Sequence, residues 1–206
     1  TRAALTAFVL ATFLAAGASR VQAAAYTWAG GSSGAWASAG NWSPLRDIAA
    51  TTDELTFDSG DSILVTDFAT ASIARLVVTN GTRVNLGGPA EPTLTLLGAA
   101  GEDLFVGAGA SLCLGGAWGS PPETTHVRLA AGATARVEGA IRIGPIKSSI
   151  DAVNSLSILF TAGGALDHRS SAAAFTTSGA DSVAVFEAGS TCFVEWGGPD
   201  VPFGLP

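Results

Sequence analysis

The sequence predicts an all-β fold, a right-handed parallel β-solenoid (β-helix) closed at its amino-terminal end by an aromatic cap. Three observations point there: a glycine-rich, charge-poor composition, a strand–Gly turn–strand unit that recurs along the chain, and an alternation of apolar residues after each turn glycine. Glycine supplies 26 of 206 residues, nearly twice the usual ~7%, and charged residues only 13%, about half the usual share. Such a chain has many turns and little solvated helix. It is too apolar for disorder, yet has too few long apolar side chains for a thick core, so a thin repetitive core suits it. The competing arrangement is an antiparallel β-sandwich, because strand, Gly turn and strand also describe a hairpin. Small inward residues and long, uneven spacing between units favour the solenoid.

Residues 1–23 read as a secretory signal peptide. Thr1 and Arg2 place a positive charge before the apolar run 3–16, which gives way to Gly17, Ala18, Ser19 and Arg20. Val21, Gln22 and Ala23 offer a small-residue cleavage site after Ala23. The run is too short for the ~20 residues that cross a bilayer, so no membrane insertion of the mature segment is expected. Removal of Arg2 and Arg20 leaves 8 basic against 17 acidic residues and moves the formal charge from −7 to −9. An acidic surface repels phosphate backbones and anionic headgroups, which argues against nucleic acid and membrane partners.

Residues 24–68 form the expected cap and first strands. They contain Tyr26-Thr27-Trp28-Ala29-Gly30-Gly31, Gly34-Ala35-Trp36 and Asn41-Trp42-Ser43-Pro44, followed by Asp53-Glu54-Leu55-Thr56-Phe57-Asp58. This series resembles the opening of the autotransporter-associated β-strand repeat proteins and related bacterial exported surface proteins. The resemblance spans residues 26–97 by motif and the remainder through the Gly-turn rhythm. It implies a β-solenoid passenger at the cell surface, with no catalytic constellation; no translocator barrel pattern follows within this sequence. For Trp28, Trp36 and Trp42 two readings stand. They cover the open strand edge of the first coil, as a terminal repeat requires, or they form a sugar-stacking platform beside Asn41 and Ser43. The terminal position of the cluster favours the cap.

Residues 69–206 carry the repeats. The strand–turn–strand units are 76–86 around Gly81, 104–114 around Gly109, 127–137 around Gly132, 158–168 around Gly163 and 183–194 around Gly189. Positions three and five after each glycine share one strand face: Val84 and Leu86, Leu112 and Leu114, Ala135 and Val137, Leu166 and His168, Cys192 and Val194. The residue between them points outward: Asn85, Cys113, Arg136, Asp167 and Phe193. Cys113 therefore lies outward and Cys192 inward, three units or about 14 Å apart at the strand spacing, beyond the ~7 Å Cα limit of a disulfide; both are expected to stay unpaired. The ending 201–206 resembles neither a capping helix nor a membrane strand, and the chain is expected to be a fragment.

Little in the sequence suggests chemistry. His126 and His168 have no Cys or carboxylate at metal-ligand spacing, and Asp53, Glu54, Asp58 and Asp61 lack the order of known calcium loops, so they read as a solvated strand edge. The outward Arg136 and Asp167, with Lys147, are too few for the carboxylate-plus-base site of a β-helix lyase or hydrolase. No nucleophile elbow, phosphate loop or dinucleotide fingerprint is present, so no catalytic residue, metal ligand or cofactor is assigned. The sequons at Asn41 and Asn80 read as accidental. The expectation is an exported, cell-surface or secreted, structural or adhesin-like solenoid of bacterial type, meeting an extracellular glycan or a host or matrix surface. The alternative is a carbohydrate-binding or lyase-like β-helix module, with Trp28, Trp36 and Trp42 as its weak ligand-binding residues.

Overall fold

The computed structural model describes residues 23–98, 101–115, 123–144, 146–169, 173–177 and 182–194. Most of the expected leader (1–22) and the ending at 201–206 lie outside these described residues.

The chain winds as a parallel β-solenoid with three faces. Face A runs β1(Ala25–Trp28), β4(Glu54–Phe57), β7(Arg75–Val78), β10(Leu104–Val106), β13(Ala135–Val137), β16(Ile158–Phe160) and β19(Ala184–Phe186). Face B runs β2(Ser33–Ala35), β5(Ser62–Thr66), β8(Arg83–Leu86), β11(Ser111–Leu114), β14(Ala140–Ile143), β17(Ala165–His168) and β20(Thr191–Val194). Face C runs β6(Ala71–Ile73), β9(Thr93–Leu96), β12(His126–Leu129), β15(Ser149–Ala152) and β18(Phe175–Thr177). From β4 to β18 each coil visits A, B and C in turn, whereas the first coil has strands on A and B alone, and the ladders between coils are parallel on all three faces. Parallel ladders exclude the sandwich alternative. The exception is β3(Trp42–Ser43), which runs antiparallel to β1 and forms the first edge of face A.

Alternation decides what fills the core. On face B the inward columns are Ile63–Val84–Leu112–Ile141–Leu166 and Val65–Leu86–Leu114–Ile143–His168, all buried. On face A, Phe57, Val78, Val106, Val137 and Phe160 form one continuous inward column. Stacking like on like at ~4.8 Å gives every apolar side chain a neighbour above and below, which is how so thin a core excludes water.

The corners explain both the success and the one error of the glycine reading. Five tight turns are closed by a backbone N–H three residues on: Thr82 to Thr79, Ala110 to Gly107, Ala133 to Ala130, Gly164 to Thr161 and Ser190 to Glu187. Each holds a glycine at its third position with φ between +69° and +89°, a conformation that L side chains resist. Four of these turns join face A to face B. The turn at Gly132 instead joins β12 on face C to β13 on face A, so Ala135 pairs with Leu104 and Arg136 with Phe105. The true A–B corner of that coil is at Glu138 and Gly139, and Arg142 takes the outward place next to Cys113 that the spacing assigned to Arg136. The two kinds of corner use the same local turn, so local sequence does not distinguish them.

Candidate functional site

The tryptophans come together as the sequence suggests, but inside the core. Trp28, Trp36 and Trp42 are 5%, 4% and 2% exposed. Trp28 and Trp42 meet edge to face at 5.1 Å, Trp36 and Trp42 at 5.5 Å, and the cluster continues onto Phe57 and Phe68. Two of the indole N–H groups are also occupied, Trp28 donating to Gly31 O at 2.9 Å and Trp42 to Trp36 O at 3.0 Å. A sugar-stacking platform needs an open ring face. None of the three offers one, so this geometry corrects their assignment as ligand-binding residues: they plug the first coil.

The plug has a polar clasp that sequence reasoning missed. Arg46 Nε donates to Asp53 Oδ2 at 2.7 Å, with side chains 3% and 1% exposed. Its guanidinium also lies 5.7 to 6.0 Å from the ring centroids of Trp42, Trp36 and Tyr26, within cation–π reach. Asp53 is thus not part of a solvated acidic edge. Its carboxylate also accepts from the Ala50 N–H at 2.9 Å. A lone arginine between an aromatic cluster and the aspartate that opens the next strand is the only signal that could have revealed the pair. Among the described residues no group of three or more His, Cys, Asp or Glu side chains could hold a metal ion.

The remaining sequence-derived residues are dispersed. Arg136, outward on face A, pairs with Glu138 at 2.7 Å and Glu102 at 3.7 Å. Asp167, outward on face B, pairs with Arg169 at 2.9 Å. Lys147 is exposed between β14 and β15. These three do not form one site. His168 is buried in the inward column of face B, whereas His126 Nδ1 lies 2.8 Å from Ser149 Oγ across the ladder from β12 to β15. The Ser–His contact ties adjacent coils, and the serine is buried. Both sequon asparagines are used locally, Asn41 Nδ2 donating to Ala35 O and Asn80 Nδ2 to Asp58 O, each at 2.8 Å.

The feature with most chemical character is a cleft of about 300 Å³ on the outer surface of face B, near the capped end. Ser32, Ser62, Leu64, Arg83, Asn85 and Cys113 line it. The register generates this grouping. Ser62 and Arg83 are paired in one outward column, and Leu64, Asn85 and Cys113 succeed one another in the next, two residues along the strands. Asn85 is 6% exposed, and neither its amide nitrogen nor its amide oxygen has a hydrogen-bond partner. Leaving such a group unpaired costs about 1–3 kcal/mol, so this residue is poorly explained as a structural one. Cys113 is a free thiol. Burial pushes it above the ordinary thiol range, opposed by the Arg142 and Arg83 guanidiniums and a hydrogen bond with Ser111. Neither arginine forms an ion pair among the described residues; Arg83 lines the cleft itself, and the Asp167 carboxylate acts on the thiol in the opposite sense, pushing it further up.

Comparison with protein-family models, with curated proteins and with solved structures finds no match for this chain, so any functional reading rests on its own residues and geometry.

Proposed function

We propose that this chain is an exported, non-catalytic solenoid segment of cell-surface or secreted type, with a structural or adhesin-like role towards an extracellular glycan or a host or matrix surface. The observation that supports it most is the sealed, regular stack. An aromatic plug and an antiparallel strand close one end, and successive coils then repeat their outward side chains at ~4.8 Å along three faces. Such a body is stiff, protects its first strand edge from pairing with other chains, and presents ordered rows of side chains to a large partner. The leader-like residues 1–23 and the acidic balance support export and argue against nucleic acid or a bilayer as partner.

The test is expression of the full reading frame with an epitope in a bacterial host, followed by antibody labelling and protease shaving of intact cells. Labelled, shaveable protein or epitope released to the medium is expected; epitope protected inside intact cells overturns the export reading. Purified protein is then applied to arrays of glycans and matrix proteins. Retention that depends on outward residues of face B is expected, and retention on no surface removes the adhesive part of the proposal.

A further inference from the structure

We infer that the face B cleft is a binding site for a carboxylate-bearing sugar unit, with Arg83 holding the carboxylate and Asn85 the ring hydroxyls. The inference stands on the cleft alone and holds wherever the chain is displayed.

Four features define the ligand. Asn85 carries a donor amide nitrogen and an acceptor amide oxygen that nothing in the protein satisfies, although the side chain is more than nine-tenths buried. A group that is both donor and acceptor, which every sugar hydroxyl is, answers that pair. Ser32 and Ser62 add exposed hydroxyls at the rim. Leu64 provides the apolar wall that the C–H face of a pyranose needs, and the volume lies at the small end of ligand pockets, ~300–1,000 Å³.

Charge selects among sugars. Arg83 is exposed and forms no ion pair or side-chain hydrogen bond among the described residues, and its planar fork matches a carboxylate. The overall charge of −7 repels anions at long range. An acidic ligand must therefore be held by this local guanidinium at short range. A neutral sugar keeps the Asn85 contacts but loses those to Arg83.

The experiment is a calorimetric titration of the intact chain with D-glucuronate and a short glucuronate oligomer, with D-glucose and acetate as comparison ligands. Alkylation of Cys113 is followed in parallel, with the exposed Cys192 as internal reference. Glucuronate is expected to bind saturably, about tenfold or more tighter than glucose or acetate, and to slow alkylation of Cys113 but not of Cys192. Arg83→Gln should bring glucuronate to the level of glucose. Asn85→Leu should abolish binding while leaving thermal stability unchanged or raised, because it replaces an unsatisfied buried amide by an apolar side chain of similar shape. Acetate binding as tightly as glucuronate overturns the sugar assignment. Absence of saturable binding, or unchanged binding in Arg83→Gln, overturns the site, including in the event that Asn85→Leu fails to fold. None of these failures bears on export, which the cell-labelling experiment decides separately.

Discussion

Arg46 and Asp53 meet inside the amino-terminal plug, the guanidinium Nε donating to the carboxylate at 2.7 Å with both side chains almost wholly withdrawn from water. Removing one partner leaves the other charge buried and uncompensated, which costs about 3–5 kcal/mol. Arg46→Met and Asp53→Asn should each lower stability by about that amount in urea unfolding. The double variant should lose clearly less than the sum, since it buries no orphan charge; strict additivity would show that the two residues act independently.

Trp42 is the keystone of the same plug, in edge contact with both Trp28 and Trp36 and 2% exposed. Trp42→Ala should cost about 3–5 kcal/mol and uncover the β1 edge of face A, so dimers or larger species should form in sedimentation as the variant is concentrated. A monomeric variant of near-native stability would mean that the plug does not protect the edge.

Gly139 turns without a positive φ, yet a Cβ there would run into the carbonyl oxygens of Ala110 and Gly107 on the preceding coil. Backbone cannot yield as a side-chain tip can. Gly139→Ala should therefore lower the melting temperature by several degrees, about what 1–3 kcal/mol of overpacking produces. Gly40→Ala, where the added carbon meets nothing within 4 Å and φ is not in the left-handed region, should fall within about 0.5 kcal/mol of the parent.

The two thiols should titrate differently. Burial pushes Cys113 upward, and lesser burial does the same to exposed Cys192. Alkylation should be faster at Cys192, and that of Cys113 should become appreciable only above the ordinary thiol range of ~8.5. A thiol raised on folding favours the folded chain in full below its unfolded pKa. As pH climbs past that value the unfolded thiol ionises first, so stability is lost with rising pH. Stability between pH 8 and 10 should thus decline less in Cys113→Ser than in the parent. A decline as steep in the variant would locate it elsewhere.

Gly turns and period-two alternation made the solenoid legible, because both are local consequences of backbone geometry. A glycine at a positive-φ corner and an apolar residue at every second place are required whichever strand lies next door. They placed Leu112 and Leu166 in one inward column and Asn85, Cys113 and Asp167 in one outward column, as the ladders show; Cys192 continues the inward register next to Leu166 but is exposed there. The same locality put Arg136 in the Arg142 position: the turn at Gly132 closes with the same hydrogen bond and the same backbone sign as the turns at Gly109 and Gly163.

The sequence by itself determined the all-β class, the parallel coil, the inward and outward alternation after the glycines from Gly81 to Gly163, and the gathering of three tryptophans at one end. Only the tertiary structure decided which corner each turn occupies, that the indoles face inward around Arg46 and Asp53, and that Arg83 and Asn85 share a cleft with Ser32, about 50 residues earlier in the chain. Local patterns are set by the dihedral angles of a few neighbouring residues. Clefts and clasps are set by which coil stacks upon which, and that register is fixed by burial summed over the whole column of side chains.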